Sequence, residues 1–248
     1  MKTTNNTILI TGGSAGIGLE IAKIFLAAGN KVIITGRDKT RLDNALKQLP
    51  GATGILGDIS SKEDTEALVQ SINSDFPDLN IVVNNAGKAH LYNLADSENA
   101  FDMAHDEMLT NYFSIIRLNE ALLPLLKVQP EAAIVNVSSI VAIVPGKLPT
   151  YSASKAALHT YTQALRISLE RSSNVKVFEL MPPLVNTELS QEIGGANGIA
   201  PSVVAKDLFD SIAADNYEIL VGNTQYIYDL YLKSPDEALA LMNQPTLA

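Results

Sequence analysis

The chain has 248 residues, 46% of them apolar and 18% charged, a length and balance that suit one compact α/β domain. It contains no cysteine and only three histidines, which excludes disulfides, thiolate catalysis and cysteine-ligated metal and leaves too few ligands for a zinc site, so no metal is expected. A net charge of −9 with a pI near 4.8 argues against nucleic acid and anionic membrane as partners, since both require a basic face.

No apolar run approaches the roughly 18 residues of a membrane span, and Met1-Lys-Thr-Thr-Asn-Asn precedes the first apolar run without a signal-type stretch. A cytoplasmic protein is therefore expected. In chain order, apolar runs rich in Ile and Val fall at 7–11, 31–35, 54–56, 80–84, 132–138, 175–181 and 218–221. Helical periodicity fills the intervals at 17–28, 39–48, 62–75, 100–127, 151–172 and 201–214. Near-continuous apolar content indicates strands buried on both faces, as in parallel sheets covered by helices on each side. The expected architecture is a single-domain α/β fold of Rossmann type, with a doubly wound, seven-stranded parallel sheet and ligands at the carboxyl ends of the strands. Its core spans about residues 5–223. Residues 224–248 read as a short helical extension broken by Pro235, too small for a second domain.

The first strand empties into Thr11-Gly-Gly-Ser-Ala-Gly-Ile-Gly18. Gly12, Gly16 and Gly18 are expected to take backbone angles closed to other residues and to let a pyrophosphate reach main-chain N–H groups at a helix N-terminus. Ser14, Ala15 and Ile17 complete that candidate anion site. The Gly-x-x-x-Gly-x-Gly spacing is one residue wider than the commonest dinucleotide fingerprint, and an unliganded strand-to-helix turn would read the same way.

Later strand ends carry further candidates. Asp58, followed by Ile59, can accept from an adenine amino group or cap the helix beginning near Ser60. Asn84-Asn85-Ala86-Gly87 lets a flat ring approach the backbone, or is an ordinary Asn/Gly turn. Asn111 lies inside a long helical pattern, where it either marks a local kink whose freed carbonyl and side chain hold a water or faces solvent. Ser138 and Ser139 end the fifth strand, and Tyr151-Ser-Ala-Ser-Lys155 follows, with phenol and ammonium four residues apart on one helix face. A nearby cation favours phenolate over phenol, so Lys155 is expected to lower the Tyr151 pKa and make it a general acid or base near neutrality. In isolation the same pair would read as an amphipathic surface.

Together these residues, in this order and spacing, resemble the short-chain dehydrogenase/reductase superfamily from the first strand to about Gly222. Pro182-Pro183 and Val185-Asn-Thr-Glu-Leu189 are similar to a bacterial branch of DltE-type oxidoreductases. The resemblance implies NADP(H) with its pyrophosphate at Gly12 to Gly18 and its nicotinamide near Pro182, Leu184, Val185 and Thr187. Asn85, Ala86 and Gly87 would flank the cofactor. It implies hydride transfer to or from a carbonyl or alcohol, with Tyr151 as acid/base, Lys155 lowering its pKa and holding ribose hydroxyls, Ser139 donating to the substrate oxygen and Asn111 holding a relay water. Ser139 stands twelve residues before Tyr151, one fewer than is common in the family, and Pro183 replaces a usual glycine. Both are departures.

Cofactor choice rests on Thr35-Gly-Arg-Asp38. Gly36 occupies the place of the ribose-binding aspartate of NAD-type relatives, and Arg37 can bond a 2′-phosphate, with Lys39 and Arg41 in support. Asp38 would cap the next helix. Val141 to Val144, Leu148, Leu184 and 189–199 form a largely apolar wall that implies an uncharged ketone, aldehyde or keto ester. Gly194, Gly195 and Gly198 are expected to let the covering segment move as a lid. Lys88 and His90 could instead meet an anionic substrate or simply be solvated. Pairing of the helices carrying Asn111 and Tyr151 implies a homodimer or homotetramer. The competing functions are a non-catalytic NADP-sensing regulator and an NAD-preferring alcohol dehydrogenase.

Overall fold

A computed structural model describes residues 1–244; the last four residues of the expected extension lie outside it. Strands β1 (Thr7–Ile10), β2 (Lys31–Gly36), β3 (Thr53–Leu56), β4 (Leu79–Asn84), β5 (Ala132–Val137), β6 (Val175–Met181) and β7 (Glu218–Leu220) form one sheet in the order β3-β2-β1-β4-β5-β6-β7. Every pairing is parallel. The helices are α1 (Gly16–Ala27), α2 (Lys39–Leu46), α3 (Lys62–Asp75), α4 (Ala100–Met108), α5 (Ser114–Lys127), α6 (Pro149–Glu170), α7 (Pro201–Ala214), α8 (Thr224–Lys233) and α9 (Pro235–Met242).

Alternating side chains explain why both faces must be covered. Ile8, Ile10, Ile34, Val83 and Val135 pack with Ile21, Phe25, Leu208 and Ile212 of α1 and α7. Leu9, Ile33, Val82, Ile134 and Val177 pack with Leu68, Ile72, Leu118, Leu122 and Leu169 of α3, α5 and α6. Burying a strand on both faces removes each large side chain from water, worth about 1.5–3 kcal/mol apiece. No described helix is long and apolar enough to cross a membrane.

The chain builds outward from β1 to β3 and then returns to place β4 beside β1. Adjacent strand ends therefore diverge between β1 and β4, the crevice in which such sheets hold ligands. The 100–127 helical pattern is interrupted: residues Leu109–Phe113 wind as a π-turn, with the Ser114 N–H donating to the Leu109 carbonyl, and Asn111 lies within it. That is the local irregularity expected at Asn111. The extension folds as α8 and α9, and Ile227 and Ala238 pack with Ile140 and Val144, so it covers the loop after β5.

Candidate active site

The glycine turn after β1 is shaped by close approach. A Cβ on Gly12 would stand 2.9 Å from Ala86 Cα, and one on Gly18 would stand 2.5 Å from Asn85 Nδ2 and 2.6 Å from the Gly12 carbonyl oxygen. Gly12 and Gly16 have φ of +64° and +54°, the left-handed region that favours glycine. Gly18 does not share it: contrary to expectation, this position needs a glycine because there is no room for a side chain. Gly13, which drew no comment in sequence, is confined similarly, 2.5 Å from Ile34 Cγ2. Ala15 precedes α1 without capping it by a side chain, so the first-turn N–H groups of Gly16, Ile17 and Gly18 are left for an anion.

Asn85 ties this turn to β4. Its Nδ2 donates to the Thr11 and Gly12 carbonyls at 2.9 and 3.1 Å, and the N–H groups of Asn85 and Ala86 donate to Thr11 Oγ1 at 3.0 and 3.1 Å. The Asn85 side chain is thus a strut holding two strand ends together. Asn84 is buried and donates to Asn119 and Asn136.

At the adenosine end, Ser14 Oγ stands beside Gly36, 3.0 Å from where a Cβ would be. Thr35, Leu56, Gly57, Asp58 and Ile59 line a small hollow there. Asp38 caps α2, accepting from the Arg41 N–H at 2.9 Å. Arg41 pairs with Glu188 at 2.7 Å, which weakens its expected support for a 2′-phosphate. Arg37 is exposed, its Nη1 3.9 Å from Asp58 Oδ2. Asp58 does not cap α3, whose cap is Ser61; it accepts instead from the Ser60 N–H at 2.9 Å and hydroxyl at 2.6 Å. Burial alone would raise the Asp58 carboxyl, but these bonds and the Arg37 and Lys88 cations outweigh it and hold its pKa below the usual range.

The catalytic candidates converge where β4, β5 and α6 meet. Lys155 is buried and its Nζ donates to the Val137 carbonyl at 2.8 Å. The ammonium lies 5.5 Å from the centre of the Tyr151 ring. A Cβ on Gly87 would lie 3.4 Å from Asn111 Oδ1 and 3.9 Å from Lys155 Nζ, which places both side chains against the turn after β4. Asn111 is fully buried, so it does not face solvent. Its Nδ2 donates to the Lys88 carbonyl and Ser154 Oγ, and its Oδ1 accepts from the Lys88 N–H. Both amide donors are taken by protein, leaving only the second lone pair of Oδ1 and carbonyls loosened by the π-turn to hold a water.

Burial depresses Lys155 to about 8, with the Glu179 carboxylate acting in the opposite direction. Burial also raises Tyr151 above the ordinary phenol value, and the Glu107 carboxylate adds to the rise. The expected lowering of Tyr151 by Lys155 is therefore absent, because desolvation of the phenolate dominates. The Tyr151 hydroxyl bonds to no other described residue. Ser139 Oγ is loosely held, donating to the Pro182 carbonyl at 3.4 Å and accepting from the Val141 N–H at 3.3 Å. Ser138 is committed elsewhere, donating to Glu179 Oε1 at 2.5 Å. The shortened loop leaves Ser139 as the available serine.

Beyond β6, Leu184, Val185 and Asn186 pair with Ile199: the Ile199 N–H donates to the Leu184 carbonyl at 3.0 Å and the Asn186 N–H to the Ile199 carbonyl at 2.8 Å. Val185 O accepts from Ser190 Oγ. Thr187 lies over the glycine turn, its Cγ2 3.2 Å from where a Gly16 Cβ would be. Two glycines of the covering segment are there for packing: a Cβ on Gly195 would meet Ser190 Oγ at 2.2 Å and one on Gly198 the Leu184 carbonyl at 2.7 Å. For those two that corrects the expectation that they free a lid; Gly194 instead serves a turn at φ +85°. Val144 and Leu148 are buried in the wall. Lys88 and His90 both pair with Asp106, at 2.7 and 2.8 Å.

Three residues of this neighbourhood escaped the sequence reading. Glu107 is fully buried with Oε1 accepting from the His90 N–H and Oε2 unpartnered among the described residues. His159 and Glu179 form a buried ion-pair contact at 2.9 Å. Each had a signal: Glu107 and His159 stand four residues from Asn111 and Lys155, one helical turn away, and Glu179 is a charge inside an apolar strand run.

With the geometry in place, comparisons identify its relatives. The family model described as short chain dehydrogenase matches residues 6–198. A Bacillus subtilis (strain 168) protein named uncharacterized oxidoreductase DltE is 42% identical over 80% of this chain and 79% of its own length. A short chain dehydrogenase from Burkholderia cenocepacia J2315, solved in complex with NADP, superimposes with a TM-score of 0.85 at 25% identity over 99% of this chain and 100% of that one. A short chain dehydrogenase/reductase from Burkholderia phymatum, solved in complex with NAD, gives 0.87 at 21% identity over 100% and 99%, a likeness of fold alone. The glycine turn, the Tyr151 and Lys155 pair and these matches lead to one assignment: the chain belongs to the short-chain dehydrogenase/reductase superfamily, as an oxidoreductase of the DltE-like branch.

Proposed function

We propose that this protein is an NADP(H)-dependent oxidoreductase acting on an uncharged, moderately apolar ketone, aldehyde or keto ester and the corresponding alcohol. The observation that carries the reading is that Lys155 and Asn111 meet at Gly87, with Tyr151 one turn before Lys155 on α6 and Ser139 just after β5, and with the Tyr151 hydroxyl unbonded to the rest of the described chain. The crevice fits a dinucleotide. Its turn excludes Cβ atoms and the first turn of α1 lacks a side-chain cap. Gly12 to Gly18 would hold the pyrophosphate, Asp58 and Ile59 the adenine, and Asn85 to Gly87 the adjoining ribose and ring. Pro182, the N–H groups of Leu184 and Val185, and the Thr187 hydroxyl would hold the nicotinamide. When bound, the nicotinamide supplies or accepts a hydride.

In reduction, Tyr151 donates its hydroxyl proton to the substrate oxygen. Its raised pKa keeps it protonated at neutrality and thus suits this direction. Ser139 donates to the same oxygen, and its long bonds to the Pro182 carbonyl and from the Val141 N–H leave it ready to do so. Lys155 binds ribose hydroxyls and replaces the proton that Tyr151 loses. Arg37 is the 2′-phosphate ligand.

The engagement of both Lys88 and His90 by Asp106, together with the buried Val144 and Leu148, supports an uncharged substrate. Phe113, at the end of the π-turn before α5, and Ile167 on α6 are half exposed, with exposed Ala164 one turn before Ile167, and support homodimer formation through those helices; light scattering that finds only monomer at micromolar concentration contradicts it. The deciding experiment is an absorbance screen for substrate-dependent NADPH oxidation over neutral and anionic carbonyls. Turnover of neutral carbonyls is expected. Cofactor binding without turnover would favour an NADP-sensing regulator, faster turnover with NADH an NAD-type dehydrogenase, and turnover of anionic carbonyls alone would overturn the apolar-pocket reading.

A further inference from the structure

We propose that Glu179 and His159 form a charge-tuning pair beneath the catalytic helix, in which the imidazole neutralises the carboxylate and the balance between them sets how firmly Lys155 holds its proton. The inference rests on the reading of Lys155 as the cation of the active site. Along β6, Val175 and Val177 pack into the apolar layer under α5 and α6. Glu179, on the same strand face by the two-residue repeat, sits in that layer with no exposure to solvent. A carboxylate so placed needs partners. The Ser138 hydroxyl donates to Oε1 at 2.5 Å, and the His159 Nδ1–H faces both oxygens, at 3.0 and 2.9 Å.

These residues are tied to the elements that hold the buried ammonium. Lys155 is one helical turn before His159 on α6, and the carbonyl it bonds belongs to Val137, the neighbour of Ser138. The groups facing each member can be named. Lys155 meets the Tyr151 ring on its own helix and feels the Glu179 carboxylate from β6. His159 feels Glu179 from β6, Glu218 from β7 and Arg166 from α6. Arg166 Nη1 pairs with Glu218 Oε1 at 3.0 Å, so those two largely cancel and His159 is left as the counter-charge of Glu179.

The consequence is a coupled titration. The hydrogen bond to Glu179 raises His159 above its ordinary 6.5, while burial brings Lys155 down to about 8. With His159 protonated, the pair is neutral and Glu179 pulls little on Lys155. Without that proton, an uncompensated carboxylate holds the ammonium charged.

Two near-isosteric variants should therefore displace Lys155 in opposite directions. Glu179→Gln removes the attracting charge and should lower the Lys155 midpoint by about one pH unit; His159→Gln keeps a donor but never a charge and should raise it. The direct measurement is the pH titration of the Lys155 ¹³Cε resonance by NMR, assigned by its loss in Lys155→Arg. It needs no substrate, so it remains decisive even if the NADPH screen finds no turnover. Where a substrate is found, the alkaline limb of the kcat profile should move with the same signs. Thermal denaturation checks folding, and if one variant does not fold the other decides alone. A Lys155 midpoint that stays put, or moves the same way in both folded variants, overturns the proposal and leaves the pair a packing feature.

Discussion

On the β1–β4 side of the cleft, function depends on what is missing: Cβ atoms on Gly12 and Gly18 would collide with Ala86, Asn85 and the Gly12 carbonyl. On the β5–β6 side it depends on what is crowded in, since Ser138, Lys155 and Glu179 are all buried, with Tyr151 and His159 against them. The first side presents backbone dipoles, whose strength a substitution cannot change but whose access it can block. The second presents protons whose affinity is set by desolvation and by the nearest charge. Substitutions should accordingly alter binding and packing on one side and rate and pH dependence on the other.

The largest effect is expected from Tyr151→Phe, which removes one proton and leaves the cradle intact. Turnover should fall by about 10²–10⁴ while NADPH binding, followed by fluorescence titration, is retained. A variant keeping more than about a tenth of the rate would place the proton donor elsewhere. Next in size is cofactor preference. A charge-assisted bond from Arg37 is worth about 1.5–3 kcal/mol, or roughly 10-fold to 150-fold in kcat/KM for NADPH over NADH, and Arg37→Leu should erase it. Adding Gly36→Asp should reverse it with a loss of total affinity, because the new Cβ must displace Ser14 Oγ, only 3.0 Å away. Equal use of both cofactors by the unaltered protein would remove Arg37 from that role.

Gly18→Ala should cost about 1–3 kcal/mol in thermal stability together with cofactor affinity, since Asn85 Nδ2 and the Gly12 carbonyl must move. Unchanged melting and unchanged binding would mean that the turn relaxes freely. The smallest effect belongs to Asp38→Ala, which removes the cap of α2 and should cost about 1 kcal/mol in denaturant unfolding with NADPH preference unaltered. A collapse of NADPH use in this variant would show that Asp38 serves the ribose after all.

The strands and their parallel arrangement were legible because the central ones, β1, β2, β4 and β5, are buried on both faces and so read as near-continuous apolar runs, whereas the edge strands β3 and β7 are only partly buried. The π-turn was foreshadowed by Asn111 in the Leu109-Thr-Asn-Tyr-Phe113 run of a long helical pattern. The glycine turn and Tyr151 with Lys155 were legible because their spacing is local, set by one turn or one helix face. The preference for Ser139 over Ser138 rested on the resemblance alone until the fold supplied a physical reason, since Glu179, forty-one residues from Ser138, engages one hydroxyl and not the other. The role of the covering glycines also depended on distant atoms, and sequence alone suggested mobility where the chain is tightly packed.

What the amino-acid sequence determined by itself was therefore the local hardware: strands, helices, the cap at Asp38, the glycine turn, and the residue types of the candidate site. Tertiary structure alone decided their electrical state. A phenol and an ammonium four residues apart predict mutual stabilisation of charge in water. Their burial instead drives Tyr151 up, with Glu107 adding to the rise, and Lys155 down, against the opposing pull of Glu179. Desolvation depends on everything packed around a group, and only the folded chain brings those groups together.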